Sequence, residues 1–126
     1  MDQPPPVHVL LVDDEPKVAH VVSRMLQWSG MVVTSHDAAA SALADVASRP
    51  DAFDVAVLDV HLPGMGGPEM AGRLWDACAG LPVVFVSGDT SQLLNATLAG
   101  RYRTLSKPVP MADLIATIRE LVPTTR

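Results

Sequence analysis

Asp13, Asp14, Asp59, Ser87 and Lys107 each stand at the end of a short run of strand-forming residues. The runs are 7–12, 55–58 and 83–86, apolar nearly throughout, and the less apolar 103–106. If these strands lie parallel, their carboxyl ends share one edge of the sheet, where open α/β sheets bind ligands. Three carboxylates, a hydroxyl and an amine are then expected at one place. Three acids that close repel strongly when all are ionised. A hard divalent cation relieves this, and Mg²⁺ (or Mn²⁺) characteristically takes a few carboxylates together with water and phosphate oxygens. A carboxylate can also attack phosphorus and become an acyl phosphate. A metal and an ammonium then neutralise the charge on the transferring group. On this reading Asp59 is the nucleophile, and Asp13 and Asp14 join it as metal ligands. Ser87 holds a phosphoryl oxygen and Lys107 clamps its charge. The backbone carbonyl of His61 is a further oxygen ligand, and Gly88 leaves room for the group to approach.

The elements that must position these residues follow from periodicity. Pro16 suits the first turn of a helix, where its missing N–H costs nothing. Val18, Val22, Met25 and Leu26 then recur at helical spacing, and Gly30 reads as a left-handed cap. Residues 31–34 form a second strand. Asp37 is expected to cap a helix carrying Ala39, Ala42, Leu43 and Val46. Pro68 opens a helix with Met70, Leu74, Ala77 and Cys78 inward. Thr90 to Ala99 is a weak helix, and a final one carries Met111, Leu114, Ile115, Ile118, Leu121 and Val122. Strands alternating with helices imply parallel pairing through right-handed crossovers. The expectation is an α/β three-layer sandwich of five strand–helix pairs. Residues 1–6 form a Pro-rich arm, 7–122 one domain and 123–126 a tail. Trp28 and Trp75 read as helix packing, and Arg101-Tyr102-Arg103 as a solvated turn.

Composition narrows the function classes. The 126 residues fit one domain, and 9 basic against 14 acidic residues give a net charge of −5. That balance disfavours nucleic acid and anionic membranes, both of which need clustered Lys and Arg. The single Cys78 excludes an internal disulfide and a thiolate metal cage. His8, His20, His36 and His61 lack zinc-ligand spacing. No apolar run is long enough to span a membrane and no signal peptide is evident, so a cytoplasmic protein is the default expectation.

Leu11-Val12-Asp13-Asp14-Glu15, Asp59 with Leu62-Pro63-Gly64-Met65 and Gly67, Ser87-Gly88, and Leu105-Ser106-Lys107-Pro108 together carry a resemblance. Over roughly residues 7 to 122 the chain resembles the receiver domain of two-component response regulators. The resemblance implies a flavodoxin-like, doubly wound fold with strand order 2-1-3-4-5. It implies Mg²⁺-dependent transfer of phosphate to Asp59 from the phosphohistidine of a histidine kinase or histidine phosphotransfer protein, with slow loss of that phosphate. It also implies a downstream protein target, switched by phosphorylation, and no enzymatic turnover of other substrates. A cis bond at Lys107-Pro108 is common in the family and permitted by a proline. One departure stands out: where the family usually carries an aromatic switch residue, this chain has Thr104. Readout through the backbone around Ser87 to Thr90 and through 101–103 is the expectation instead.

Rival functions leave their own marks. An aspartate-nucleophile phosphatase wants a second Asp two residues on, where His61 stands. A nucleotide or flavin binder wants a Gly-rich loop after the first strand, where Asp13-Asp14-Glu15-Pro16 stands. The nearest alternative is a degenerate receiver that binds partners without phosphorylation. Stand-alone regulator and receiver of a longer protein both remain open.

Overall fold

Successive residues of a strand point to opposite faces, and here both faces are apolar. In the computed structural model, which describes residues 5–88, 98 and 100–123, the strands are β1 (His8–Val12), β2 (Val32–His36), β3 (Val55–Asp59), β4 (Val83–Ser87) and β5 (Tyr102–Ser106). They form one parallel sheet of order β2-β1-β3-β4-β5. The helices are α1 (Pro16–Trp28), α2 (Ala39–Ser48), α3 (Gly67–Ala77) and α4 (Met111–Leu121). The flavodoxin-like order and the layered α/β architecture expected from the sequence are therefore present. The weak helix expected within 90–99 falls on residues 89–97 and 99, outside the described residues, as do 1–4 of the arm and 124–126 of the tail. Among the described residues no helix is long and apolar enough to cross a membrane.

Alternation divides the interior in two. Leu10, Val12, Ala56, Leu58, Val83 and Phe85 pack on one face against Ala42 and Val46 of α2 and Met70 and Leu74 of α3. Val9, Leu11, Val55, Val57 and Val84 face the other way, against Ala19 and Leu26 of α1 and Leu114 and Ile118 of α4. Each buried Val, Leu, Ile, Phe or Met among them contributes about 1.5–3 kcal/mol by leaving water, and the alanines less. The central strands are buried on both faces, so they read as unbroken apolar runs. β5 lies at an edge, and Tyr102, Arg103 and Thr104 on it are exposed.

Several local expectations are corrected. The core stripe of α1 runs through Ala19, Val22 and Leu26, and Val18 is partly exposed instead. Trp28 is 72% exposed, its ring 5.6 Å from the Arg24 guanidinium, so it is no packing residue. Trp75 does pack: its indole N–H donates to the Leu81 carbonyl at 2.7 Å, and a β-carbon at Gly100 would run into its ring. Ala38, not Asp37, precedes α2. The chain stays extended through His36, whose carbonyl accepts the Asp13 N–H at 3.1 Å, and this delays the helix past Asp37. The buried stripe of α3 ends at Leu74, leaving Ala77 exposed and Cys78 half-buried at the helix terminus. Tyr102 and Arg103 belong to β5 rather than to a turn, and Arg101 donates to the Leu121 carbonyl at the end of α4. Gly30 has φ +89°, as its capping role demands.

Candidate functional site

The carboxyl edge of the sheet gathers the residues at the strand ends. Asp13 follows β1 and is 7% exposed. Its Oδ1 accepts the Glu15 N–H at 2.9 Å, a turn that delivers Pro16 to the first position of α1. Asp59 ends β3 and is 6% exposed. Its Oδ1 accepts the His61 N–H at 3.0 Å, and its Oδ2 lies 3.3 Å from the Lys107 ammonium. Backbone bonds carry the ladders past the strand ends: Val60 N–H to Val86 O at 3.1 Å, and Lys107 N–H to Ser87 O at 2.8 Å. These fix Asp59 against β4 and bring Lys107 back from the edge strand. The Lys107-Pro108 bond is cis.

The loop after Asp59 is tight for a steric reason. Gly64 has φ +80°. Gly67 begins α3 hard against the end of β3, where a β-carbon would sit 3.1 Å from the Val60 Cα. The Gly67 N–H donates to the Val60 carbonyl at 3.0 Å, so α3 starts directly behind the strand that carries Asp59.

Carboxylate oxygens of Asp13, Asp14 and Asp59 all lie within 4.8 Å of one another. Burial pushes the Asp13 carboxyl above its ordinary range. The Glu15 N–H pulls it down, the negative Asp59 pushes it up, and Lys107 pulls it down. The donor set is all oxygen and triply anionic when ionised, with one ammonium alongside. That chemistry suits a hard divalent cation and not a thiolate- or imidazole-seeking one. A groove of about 510 Å³ opens beside Asp59, lined by Val18 and Val22 of α1 and by Lys107, Val109 and Met111. Val18 lines this groove and not the core.

Asp13, Asp14, Asp59 and Lys107 are thus brought together. Ser87 ends β4, fully buried. The side chain of His61 joins the site through a contact that the strand-end pattern does not predict: its Nε2 lies 3.3 Å from Ser87 Oγ. The signal was its position two residues beyond Asp59, on the loop facing the end of the adjacent β4. At the place of the aromatic switch, Thr104 lies opposite Phe85 in the ladder, while Tyr102 meets the Phe85 ring edge-on at 5.8 Å.

Residues 9–119 match the response regulator receiver domain family. The probable transcriptional regulatory protein TcrX of Mycobacterium tuberculosis is 34% identical over 119 residues, spanning 93% of this chain and 50% of TcrX. The C4-dicarboxylate transport transcriptional regulatory protein DctD of Pseudomonas aeruginosa is 32% identical over 120 residues, 94% of this chain and 26% of DctD. The chain spans half or less of the length of these curated relatives. A CheY-like receiver domain protein of Methanospirillum hungatei superposes with a TM-score of 0.79 at 27% identity, covering 91% of this chain and 92% of that one. With the sheet order, the strand-end carboxylates and these likenesses in hand, the chain belongs to the response regulator receiver domain family of two-component signalling.

Proposed function

We propose that this receiver domain is a phosphoacceptor, phosphorylated on Asp59 by a histidine kinase or a histidine phosphotransfer protein. The observation that carries the reading is a nearly buried carboxylate with an ammonium at 3.3 Å and two further carboxylates within 4.8 Å. An Asp59 oxygen forms the new O–P bond as the P–N bond to the donor imidazole breaks. The imidazole leaves neutral, with a proton taken from solvent. Lys107 neutralises charge on the transferring group, and Ser87 and the neighbouring backbone hold its oxygens. Asp13, Asp14 and Asp59, with the His61 carbonyl, would hold Mg²⁺ or Mn²⁺, which supplies positive charge to the phosphoryl oxygens. The groove between α1 and the segment after β5 gives the donor's imidazole its approach to Asp59. The chain catalyses its own phosphorylation and slow dephosphorylation, and the acyl phosphate switches its binding to a downstream protein. A cytoplasmic setting, shared with the donor, goes with this reading.

The test is intact mass after incubation with a small phosphodonor, with and without Mg²⁺, on this chain and on Asp59→Asn. One added phosphoryl group is expected, dependent on Mg²⁺ and absent in the variant. No gain in mass under any condition would overturn the proposal and leave a binding module with one fixed state.

A further inference from the structure

We infer that the His36 side chain is a positioning residue for the metal site: tied to Asp45 of α2, it holds the end of β2, whose last carbonyl fixes Asp13. The inference rests on the reading of Asp13 as a metal ligand and adds to it a residue outside the carboxylate cluster.

The pairs of β1 end at Val12, opposite His36 on one side and Leu58 on the other. One further bond reaches Asp13 itself, from its N–H to the His36 carbonyl at 3.1 Å. Among the described residues β2 is bonded to β1 alone, so this rung closes the open end of an edge ladder. Such ends open at little cost unless something else ties them down. Here the tie is a side chain. His36 Nε2 lies 2.8 Å from Asp45 Oδ2. Arg49 grips the same carboxylate, from Nε to Oδ1 at 2.6 Å and from Nη2 to Oδ2 at 3.1 Å. A carboxylate held in this way is ionised and only accepts, so the hydrogen lies on Nε2 and the imidazole donates. The Arg49 guanidinium in turn stands 4.9 Å over the ring of Phe53, a core residue. A line of contacts therefore runs from the core through Arg49, Asp45 and His36 to the backbone of Asp13.

The metal makes that line matter. Mg²⁺ demands near-ideal octahedral geometry at short distances, whereas Ca²⁺ accepts longer and more varied ones. A small drift of the Asp13 backbone moves its carboxylate relative to Asp14 and Asp59, and Mg²⁺ tolerates that less than Ca²⁺ does.

The experiment uses the full chain and four variants: His36→Ala, His36→Gln, Asp45→Ala and the His36→Ala/Asp45→Ala double. Amide exchange of Asp13 is read by NMR without metal, and Mg²⁺ and Ca²⁺ affinities by calorimetry. His36→Ala is expected to speed Asp13 exchange about ten- to a hundredfold, the range of one hydrogen bond to a charged group. The Val57 amide, in the central β3, is expected to keep its protection, which separates a local release from general loosening. The Mg²⁺ Kd is expected to rise about two- to fivefold, less than the roughly tenfold or more set by direct outer partners of metal ligands. The Ca²⁺ Kd is expected to change by less than about twofold. His36→Gln, whose amide N–H reaches about as far as Nε2, should restore most of both. In the Asp45→Ala background the loss of His36 should add less than about twofold to exchange, because neighbours acting through one contact are not additive. Unchanged Asp13 exchange and Mg²⁺ affinity in His36→Ala, or an equal effect in both backgrounds, would overturn the inference while Asp13 stood as a ligand. A wild-type chain that binds no Mg²⁺ overturns the ligand reading and the inference together.

Discussion

Asp13→Asn is expected to make the protein more stable without metal and less responsive to Mg²⁺. Asn keeps the shape and can still accept the Glu15 N–H that Asp13 accepts at 2.9 Å. What it removes is a buried negative charge within 4.8 Å of two others. At an effective dielectric of 20, like charges that close repel by about 3.5 kcal/mol per pair. Lys107 offsets part of this. Solvent at the mouth of the site screens more, so a net gain of about 1–2 kcal/mol is the working figure. For a domain of this size that is an upward shift of roughly 3–10 °C in Tm. The pH dependence has a definite sign. Burial raises the Asp13 carboxyl in the folded state. The folded chain then binds more protons than the unfolded one across the window above the ordinary carboxylate pKa, so stability falls as pH rises through it. Asp13→Asn should flatten that fall. Mg²⁺ at ten times its Kd stabilises the wild type by about 1.4 kcal/mol by mass action, and the variant should show a small fraction of this. Urea unfolding at neutral pH, with and without Mg²⁺, reads both effects. A metal-free variant less stable than the wild type, with an undiminished Mg²⁺ response, would refute the picture of three carboxylates in mutual repulsion.

Lys107→Ala should slow phosphorylation of Asp59 by about 100-fold or more, the cost of losing one preorganised positive group; intact-mass time courses measure it. Gly67→Ala places a β-carbon 3.1 Å from Val60 Cα and should cost about 1–3 kcal/mol in urea unfolding. Asp45 is held well below the usual carboxylate range by hydrogen bonds from Arg49 and then His36. Its contribution is present above the unfolded pKa of about 3.9 and is lost as pH falls below it. Asp45→Asn should therefore lose less stability than the wild type between about pH 5 and pH 2.

The fold was legible because burial on both faces leaves a plain mark: 55–58 and 83–86 are apolar at every position, and only a covered strand tolerates that. The acids at the strand ends were legible with it, since a carboxylate that ends a strand of a parallel sheet lies at the sheet's carboxyl edge. Features set by two elements meeting were not legible. Trp28 and Trp75 look alike in sequence. Only the close approach of Gly100 and the Leu81 carbonyl distinguishes the packed ring from the exposed one. Val18 fits the helical stripe of α1 but faces the groove beside Asp59. Asp37 has the residue type of a cap, but β2 extends through His36 and Ala38 takes the place before α2. The contact between His61 and Ser87 joins residues 26 apart along the chain and follows from the juxtaposition of β3 and β4, which no local pattern encodes.

Among the described residues β5 is bonded on one side only, and most of its side chains face solvent. Opening such a strand breaks one ladder and uncovers chiefly Leu105 and the Tyr102–Phe85 ring contact, so its free energy is a local quantity below that of global unfolding. Lys107 follows directly on that strand. Fraying of the edge thus withdraws the ammonium from Asp59 while the three inner strands keep the carboxylates in place. The site has a stationary half and a half that comes and goes with the breathing of the sheet, and amide exchange over Tyr102–Ser106 is the clock that times it.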